Sequence, residues 1–242
     1  MRVLSIIHGR NAHSGIFGDA VREAGHELDE RSFALGNPLT DPPDSYDAAM
    51  VFGGSMNVHE IEANPWIVDE TRAIGRLLEE GVPLLGVCLG SQLLSSVAGG
   101  EVTRAAEPEI GWYDVELTAD GAGDPVFGDA PARFRAFQWH SYASTVPAGG
   151  VLLAESPVCV QGFRIGDAWG MQFHAEVTTA IVESWIRNYE SDPDAIRLGF
   201  EPQGAQRRLH AEIGAWNGVG RTLVDGFTRF AADRVGATSA TA

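Results

Sequence analysis

A cysteine flanked by glycines is the feature of this sequence with the clearest chemical meaning. Cys88 lies in the run GVCLG at 86–90, after an apolar segment at 82–85 and at the start of a helical pattern at 89–98. A strand, a tight turn and a helix with a nucleophile at the turn form a nucleophile elbow. The helix N-terminus there favours the thiolate, which is the reactive form of cysteine. A buried core cysteine is the alternative interpretation, because most free cysteines pack inside the protein.

A cysteine nucleophile needs a base, and His174 with Glu176 fits that requirement. His174 follows an apolar strand pattern at 169–173, so we expect it at a strand end, as we expect Cys88. Side chains at i and i+2 of an extended segment point the same way, so Glu176 can orient one imidazole nitrogen while the other faces the thiol. This arrangement predicts a Cys–His–Glu triad. A structural histidine that ends a strand is the alternative.

The same two residues match the H-x-E pattern of zinc deaminases. Those enzymes also need a P-C-x-x-C pattern downstream, whereas both cysteines of this chain, Cys88 and Cys159, lie upstream of His174. The remaining histidines show no spacing typical of metal ligands. We therefore expect neither a metal ion nor a cofactor.

An acyl-transfer site also needs donors for an oxyanion, and the sequence offers two segments that can supply them. The pair Gly53 and Gly54 ends an apolar strand pattern at 48–52, so its N–H groups can point into the same cleft. The N–H of Leu89, directly after the nucleophile, is the second natural donor. Gln92 lies one helical turn after the cysteine, where its amide can contact a substrate amide or carboxylate. An ordinary turn at the glycines and a surface position for Gln92 are the alternatives.

The composition limits the classes of partner and the compartment. The 242 residues carry 17 Lys and Arg against 33 Asp and Glu, a net charge of −16, which argues against nucleic acid and anionic membranes as partners. No apolar stretch approaches the roughly 20 residues of a membrane helix. The N-terminal MRVLSIIHGR reads as a first strand rather than a signal peptide. A disulfide would consume the proposed nucleophile, so we expect reduced thiols and a cytoplasmic protein.

The order of patterns predicts an α/β fold with two regions. Strand and helix patterns alternate over the first hundred residues, which indicates a parallel sheet covered on both faces. Short strand patterns at 113–117, 133–139, 151–154, 159–165 and 168–173 predict a strand-rich second half that is mixed or antiparallel. After a helix at 178–189, two amphipathic helices follow, which either pack on the domain or form an interface or a lid. We therefore expect a domain at 1–190 and a helical extension at 191–242 with a frayed tail from 236.

Five segments together resemble the class I glutamine amidotransferases, closest to stand-alone members similar to the amidotransferase domain of guanosine monophosphate synthetase. They occur in the order of that family over roughly residues 45 to 190, and they are VFGGSMNVHE, PLLGVCLGSQLL, EIGWYDVEL, QWHSYASTVPAGGVLLAES and AWGMQFHAEVT. The resemblance implies a flavodoxin-like three-layer sandwich with a mostly parallel central sheet and C-terminal helices. It also implies attack on the γ-amide of glutamine, a γ-glutamyl thioester and release of ammonia.

The resemblance assigns roles to particular residues. It implies Cys88 as nucleophile, His174 as base and Glu176 as the group that orients the base. It places the oxyanion hole at Gly54 and Leu89. It places contacts with the substrate at Gly53 and Gln92, and at His140 and Ser141 within a substrate-site segment.

The chain departs from the family pattern in three places. Ser91 stands where many relatives have His, and Ala175 stands where they usually have Pro. Ser141 and Tyr142 replace a common Gly-Asp in the presumed pocket for the amino-acid end of the substrate. The chain also lacks an ATP-pyrophosphatase domain, so a synthase that uses the ammonia would be a separate protein. Two other hypotheses therefore stay open, a hydrolase of γ-glutamyl peptides or conjugates and a binding module without catalysis. The oligomeric state is not predicted.

Overall fold

A computed structural model of the chain describes residues 1–241 and shows nine strands and seven helices in that part. The strands are β1 (Arg2–Ile6), β2 (Glu27–Arg31), β3 (Ala48–Val51), β4 (Leu84–Val87), β5 (Val102–Leu117), β6 (Arg133–Ser144), β7 (Val151–Glu155), β8 (Val160–Ile165) and β9 (Ala168–Met171). The helices are α1 (Gly15–Glu23), α2 (Trp66–Glu79), α3 (Leu89–Val97), α4 (Ala119–Ala122), α5 (Thr179–Arg187), α6 (Pro193–Arg197) and α7 (Pro202–Thr241). The predicted α/β class is confirmed.

All nine strands form one sheet with a parallel half and an antiparallel half. The strand order is β2-β1-β3-β4-β9-β8-β7-β5-β6. Neighbours from β2 to β9 pair in parallel, and neighbours from β9 to β6 pair antiparallel. Strands β1, β3, β4 and β9 are almost wholly buried, as expected of parallel strands with helices on both faces. Their carboxyl ends meet at one edge of the sheet.

Helices cover both faces of the parallel half and complete the three layers. Phe17 of α1, Ile181 of α5 and Leu209 of α7 belong to the apolar core on one face. Ile67 of α2 and Leu93 of α3 belong to the core on the other face. Alternate residues of the parallel strands feed the two cores, because successive side chains of a strand point to opposite faces. None of the helices in the described part of the chain is long and apolar enough to cross a membrane.

The long hairpin of β5 and β6 extends beyond the predicted strands. The sequence predicts strands only at 113–117 and 133–139, whereas β5 begins at residue 102 and β6 ends at residue 144. Residues 103–107 are mostly exposed, so they lack the alternation that marks a half-buried strand. A register shift between Arg104 and Glu109 separates this outer part from the regular ladder.

The C-terminal region contains one long helix where the sequence predicts two. Helix α7 runs without interruption through Gly218 and Gly220, so the prediction of two helices is wrong. Gly220 faces the main chain of Ala175, where an added Cβ would lie 2.2 Å from the carbonyl oxygen. Glycine at this position therefore serves close packing of α7 rather than a helix end. The predicted tail at 236–242 coincides with the last residues of α7, and Ala242 lies outside the described residues.

Candidate active site

Cys88 occupies a strained turn between β4 and α3. It has φ 51° and ψ −109°, and it is the only non-glycine residue with positive φ in the part of the chain that the structure describes. Such a conformation is costly for a residue with a side chain and tends to occur at functional sites. The Cys88 N–H donates to the carbonyl oxygen of Met171 at 2.8 Å, which ties the turn to β9. The geometry is that of a nucleophile elbow.

The glycines on either side of the cysteine are needed for close main-chain approach. A Cβ on Gly90 would lie 2.0 Å from the carbonyl oxygen of Val51 in β3, and a Cβ on Gly86 would lie 2.6 Å from the carbonyl oxygen of Gly90. Contacts between Cβ atoms and main-chain oxygens do not occur at these distances in folded proteins. The sequence G-x-C-x-G thus lets α3 begin directly against β3.

His174 and Glu176 lie beside the elbow. His174 Nδ1 is 2.8 Å from Glu176 Oε1, which leaves the other ring nitrogen without a carboxylate partner. A Cβ on Gly53 would lie 2.8 Å from His174 Cε1 and 3.6 Å from Cys88 Cβ, so imidazole and thiol meet above this glycine. All three side chains of the predicted triad are buried.

Charges on both neighbours control the protonation of His174. Burial alone would lower the pKa of His174, but the Glu176 carboxylate and the charge on Cys88 outweigh burial and raise it to about 10. His174 is therefore an imidazolium at neutral pH.

The main chain around His174 is held from two sides. The His174 N–H donates to the carbonyl oxygen of Phe137 at 2.9 Å, and Trp216 Nε1 of α7 donates to the carbonyl oxygen of His174 at 2.8 Å. The ring of Trp185 packs edge-on against the imidazole, with centroids 4.8 Å apart. Helix α7 thus stabilises the segment that carries His174, although it lies far along the chain.

The predicted oxyanion donors lie on two segments next to the elbow. Gly53 and Gly54 follow the end of β3, and Leu89 is the first residue of α3. The first N–H groups of a helix have no acceptor within that helix, so the Leu89 N–H has no partner in α3 itself. The Gly90 N–H donates to the carbonyl oxygen of Phe52 at 3.2 Å, which joins the two donor-bearing segments.

The other predicted substrate residues lie near this site but make contacts within the protein. Gln92 is buried, and its amide nitrogen donates to the Tyr142 carbonyl oxygen at 2.9 Å and to Gln172 Oε1 at 3.2 Å. Ser141 Oγ donates to Asp194 Oδ2 of α6 at 2.6 Å. His140 Nδ1 lies 3.0 Å from the carbonyl oxygen of Tyr142. The structure thus joins these residues to one another through Tyr142 and α6, and their contact with substrate stays a prediction.

A second group of Cys, His and Glu lies in the antiparallel half. Glu109 Oε2 is 3.1 Å from His140 Nε2 and 3.6 Å from Cys159 Sγ, and the ligand atoms of the three lie within 4.8 Å of one another. Burial and the neighbouring Glu109 charge raise the pKa of the Cys159 thiol to about 12, so this cysteine stays protonated. Cys159 donates to the Glu109 carboxylate and does not lie at a nucleophile elbow. Because its thiol stays protonated, this partly buried hydrogen-bond network is a poor nucleophile site.

Comparison with known proteins identifies the family. A sequence model described as glutamine amidotransferase class-I matches residues 20–188, which is more than half of the chain. The chain belongs to the class I glutamine amidotransferase family. Amide hydrolysis is the chemistry that this family implies, and the proposed nucleophile, base and orienting residue all lie within the matched region.

Three relatives show the breadth of the amidotransferase family around this chain. A glutamine amidotransferase-like protein of Salmonella typhimurium is 29% identical over 225 residues, which cover 90% of this chain and 91% of the relative. One subunit of a glutamine-hydrolysing GMP synthase of Ignicoccus hospitalis is 31% identical over 185 residues, which cover 73% of this chain and 89% of the relative. A γ-glutamyl-L-1-hydroxyisopropylamide hydrolase of a Pseudomonas species is 31% identical over 150 residues, which cover 58% of this chain and 50% of the relative.

A solved amidotransferase structure supports the fold assignment. A glutamine amidotransferase of Thermotoga maritima superposes with a TM-score of 0.85 at 32% identity, covering 94% of this chain and 97% of that one. Since α7 is longer than the uncovered part of the chain, the similarity extends into α7 and is not restricted to the region of the family match.

Several residues that shape this amidotransferase site are not apparent from the sequence. His8 pairs with Glu70 beside Gly53, and the two are 62 positions apart. Trp216 reaches the His174 carbonyl from 42 positions away. No local motif marks these residues, because their partners become neighbours only in the folded sheet.

Proposed function

We propose that this amidotransferase hydrolyses the γ-amide of glutamine, with Cys88 as nucleophile and ammonia as the released product. The observation that carries the proposal is the Cys88–His174–Glu176 arrangement at a nucleophile elbow, with Nδ1 of His174 2.8 Å from Glu176. A binding module without catalysis would have no need of a strained cysteine beside an imidazolium.

In the first half of the reaction, the Cys88 thiolate attacks the amide carbon and forms a tetrahedral oxyanion. The N–H groups of Gly54 and Leu89 donate to that oxyanion. The His174 imidazolium then gives its proton to the amide nitrogen, the carbon–nitrogen bond breaks, and ammonia leaves. Cys88 is left as a γ-glutamyl thioester, and His174 is left neutral.

In the second half, neutral His174 removes a proton from water while the oxygen attacks the thioester carbon. The resulting oxyanion occupies the same two N–H groups. When it collapses, the carbon–sulfur bond breaks, glutamate is released, and Cys88 and His174 return to thiolate and imidazolium. Glu176 holds the ring in place and stabilises its positive charge throughout.

The raised pKa of His174 predicts that activity falls only at strongly alkaline pH. Acylation needs the imidazolium, so kcat/KM should stay constant to about pH 9 and then fall as His174 loses its proton near its pKa of about 10. Glu176→Gln removes the main charge that raises this pKa, so the alkaline limb should move to lower pH. Steady-state kinetics of both proteins test this. If kcat/KM of Glu176→Gln falls at the same alkaline pH as that of the wild type, the role of Glu176 as the group that orients His174 is contradicted.

A second candidate function is hydrolysis of γ-glutamyl conjugates, in which an amine leaves instead of ammonia. Two observations favour it. The Pseudomonas relative is named as a γ-glutamyl amide hydrolase. In addition, Tyr142 stands where the family resemblance has Asp, and the preceding Ser141 donates to Asp194 of α6. The pocket for the amino-acid end of the substrate therefore differs from the family pattern. The chemistry at Cys88 is the same for both candidates.

Kinetics with two substrate classes decide between these functions. The purified chain should hydrolyse glutamine slowly if it depends on a separate synthase that uses the ammonia, as the name of the Ignicoccus relative suggests. The measurement is kcat/KM for glutamine and for a panel of γ-glutamyl amides and peptides. A preference for the conjugates would establish the second candidate. Rapid glutamine hydrolysis by the chain alone would contradict an obligate partner.

The extent of the catalytic unit is part of this proposal. We propose 1–190 as the amidotransferase domain and 191–242 as its helical extension, which the family match at 20–188 supports. The hydrogen bond from Trp216 to His174 gives the extension a role in stabilising the base.

A further inference from the structure

A buried histidine outside the proposed triad lies against the oxyanion-binding segment. His8 follows β1 at the carboxyl edge of the sheet, and its side chain has no exposed surface. Its Nε2 is 2.8 Å from Glu70 Oε1 of α2, and its Nδ1 is 3.1 Å from the carbonyl oxygen of Gly53. The ring also packs against Trp66, with centroids 5.3 Å apart. His8 therefore has a single orientation.

The two partners of His8 determine its charge. A carboxylate oxygen and a carbonyl oxygen both accept hydrogen bonds, so both ring nitrogens must carry hydrogen. Burial alone would lower the pKa of His8, but Glu70 and the hydrogen bond to Gly53 raise it overall. The pair is therefore an imidazolium and a carboxylate, both with fully buried side chains.

This ion pair is a poor source of stability. Removing two charges from water costs about as much as their attraction returns, so buried ion pairs are often replaceable by apolar residues. Within the described residues, Glu70 Oε2 has no hydrogen-bond partner at all, which adds to the cost. A role in function explains the pair better than a role in stability.

The contact with Gly53 suggests that role, because the Gly53 carbonyl and the Gly54 N–H belong to one peptide group. The group is planar and trans, so its C=O and N–H point in opposite directions. We propose that the His8–Glu70 pair holds the Gly53 carbonyl so that the Gly54 N–H points at the oxyanion formed on Cys88. This inference rests on the proposed function, and it makes His8 a positioning residue.

The glycine pair explains why such a restraint is needed. Glycine adopts positive and negative φ with similar ease, so a peptide between two glycines rotates readily. In the rotated form, a carbonyl oxygen would face the developing oxyanion and repel it. The imidazolium opposes that rotation, because the Gly53 oxygen would lose a charge-assisted hydrogen bond in a buried place. His8 also packs closely, since a Cβ on Gly54 would lie 3.0 Å from His8 Cβ.

Two substitutions at His8 test the hydrogen bond to Gly53 separately from the contact with Glu70. In His8→Gln, the amide reaches the position of Nε2 and keeps the contact with Glu70, but it leaves Gly53 without a donor. In His8→Asn, the amide nitrogen replaces Nδ1 and still donates to Gly53. We expect His8→Gln to lower kcat by about 10²-fold, the effect of losing one oxyanion donor, with little change in KM. His8→Asn should recover most of that loss, and His210→Gln on the exposed face of α7 is the matched control.

Alkylation of Cys88 by iodoacetamide shows whether the site stays intact. This displacement at a saturated carbon needs the thiolate but forms no oxyanion, so its rate on the Cys88 peptide should equal wild type in His8→Gln. Unchanged turnover in His8→Gln, equal losses in both His8 variants, or alkylation that falls as far as turnover would each overturn the inference. If the wild type hydrolyses no γ-glutamyl amide, the proposed function fails, and this inference fails with it.

Discussion

Cys88→Ala should abolish amide hydrolysis and leave the fold unchanged. The variant removes the only atom that can form the thioester, and loss of a nucleophile of this kind costs roughly 10⁶-fold in kcat. Cys88 packs within the apolar core, but alanine keeps its Cβ, and the main-chain bond to Met171 and the glycines around the turn still hold the elbow in place. Product release measured by a coupled glutamate assay tests the activity, and thermal unfolding tests the fold.

Cys159→Ala is the matched control for this prediction. It removes the other cysteine of the chain, which donates to Glu109 in the antiparallel half. Turnover by this variant should stay close to wild type. If activity survives in Cys88→Ala and disappears in Cys159→Ala, the nucleophile is Cys159 of the second Cys–His–Glu group and not Cys88.

Gly90→Ala should cause the largest loss of stability among single changes at the site. The added Cβ would lie 2.0 Å from the Val51 carbonyl oxygen and 2.6 Å from its carbonyl carbon, so β3 and α3 must separate. Forced separation of packed main chains costs about 3 kcal/mol in the free energy of unfolding. The same movement displaces the Leu89 N–H from the sulfur, so activity should fall as well. Urea unfolding followed by circular dichroism measures the first effect.

Gly75→Ala provides the comparison for the same chemical change in a helix with room for it. Gly75 lies inside α2, and the nearest atom to an added Cβ is Val97 Cγ1 at 3.7 Å. Alanine has the higher helix propensity, so this variant should gain about 0.5–1 kcal/mol. If Gly90→Ala is as stable as Gly75→Ala, close approach of main chains is not the reason for glycine at the elbow.

The elbow was predictable because every part of it is local in sequence. A buried strand, G-x-C-x-G and a helix pattern occupy adjacent positions, and the unusual φ of Cys88 follows from that order. The pair His174 and Glu176 was predictable because the two residues are close in sequence, although β9 ends at Met171 and both residues follow the strand rather than belonging to it. The alternation of strands and helices likewise predicted the parallel half and its helical layers.

The parts that could not be predicted depend on contacts between distant segments. Nothing near His8 in the sequence indicates that Glu70 neutralises it, because the two meet only when β1 and α2 pack together. The single helix α7 was missed because its apolar residues form two separate runs, at 209–216 and 223–230, whereas in the fold the helix continues between them and Gly220 allows contact with Ala175. The outer part of β5 was missed because its residues are largely exposed and carry no periodic pattern.

The most direct test of the central claim is the site of covalent modification by an electrophilic glutamine analogue, such as a diazoketone or chloroketone with the γ-carbon activated. Intact-mass measurement and peptide mapping locate the adduct. We predict a single adduct on the peptide that contains Cys88, formed in wild type and Cys159→Ala and absent in Cys88→Ala. An adduct on Cys159, or glutamine and γ-glutamyl amide turnover without any adduct on Cys88, would contradict the account.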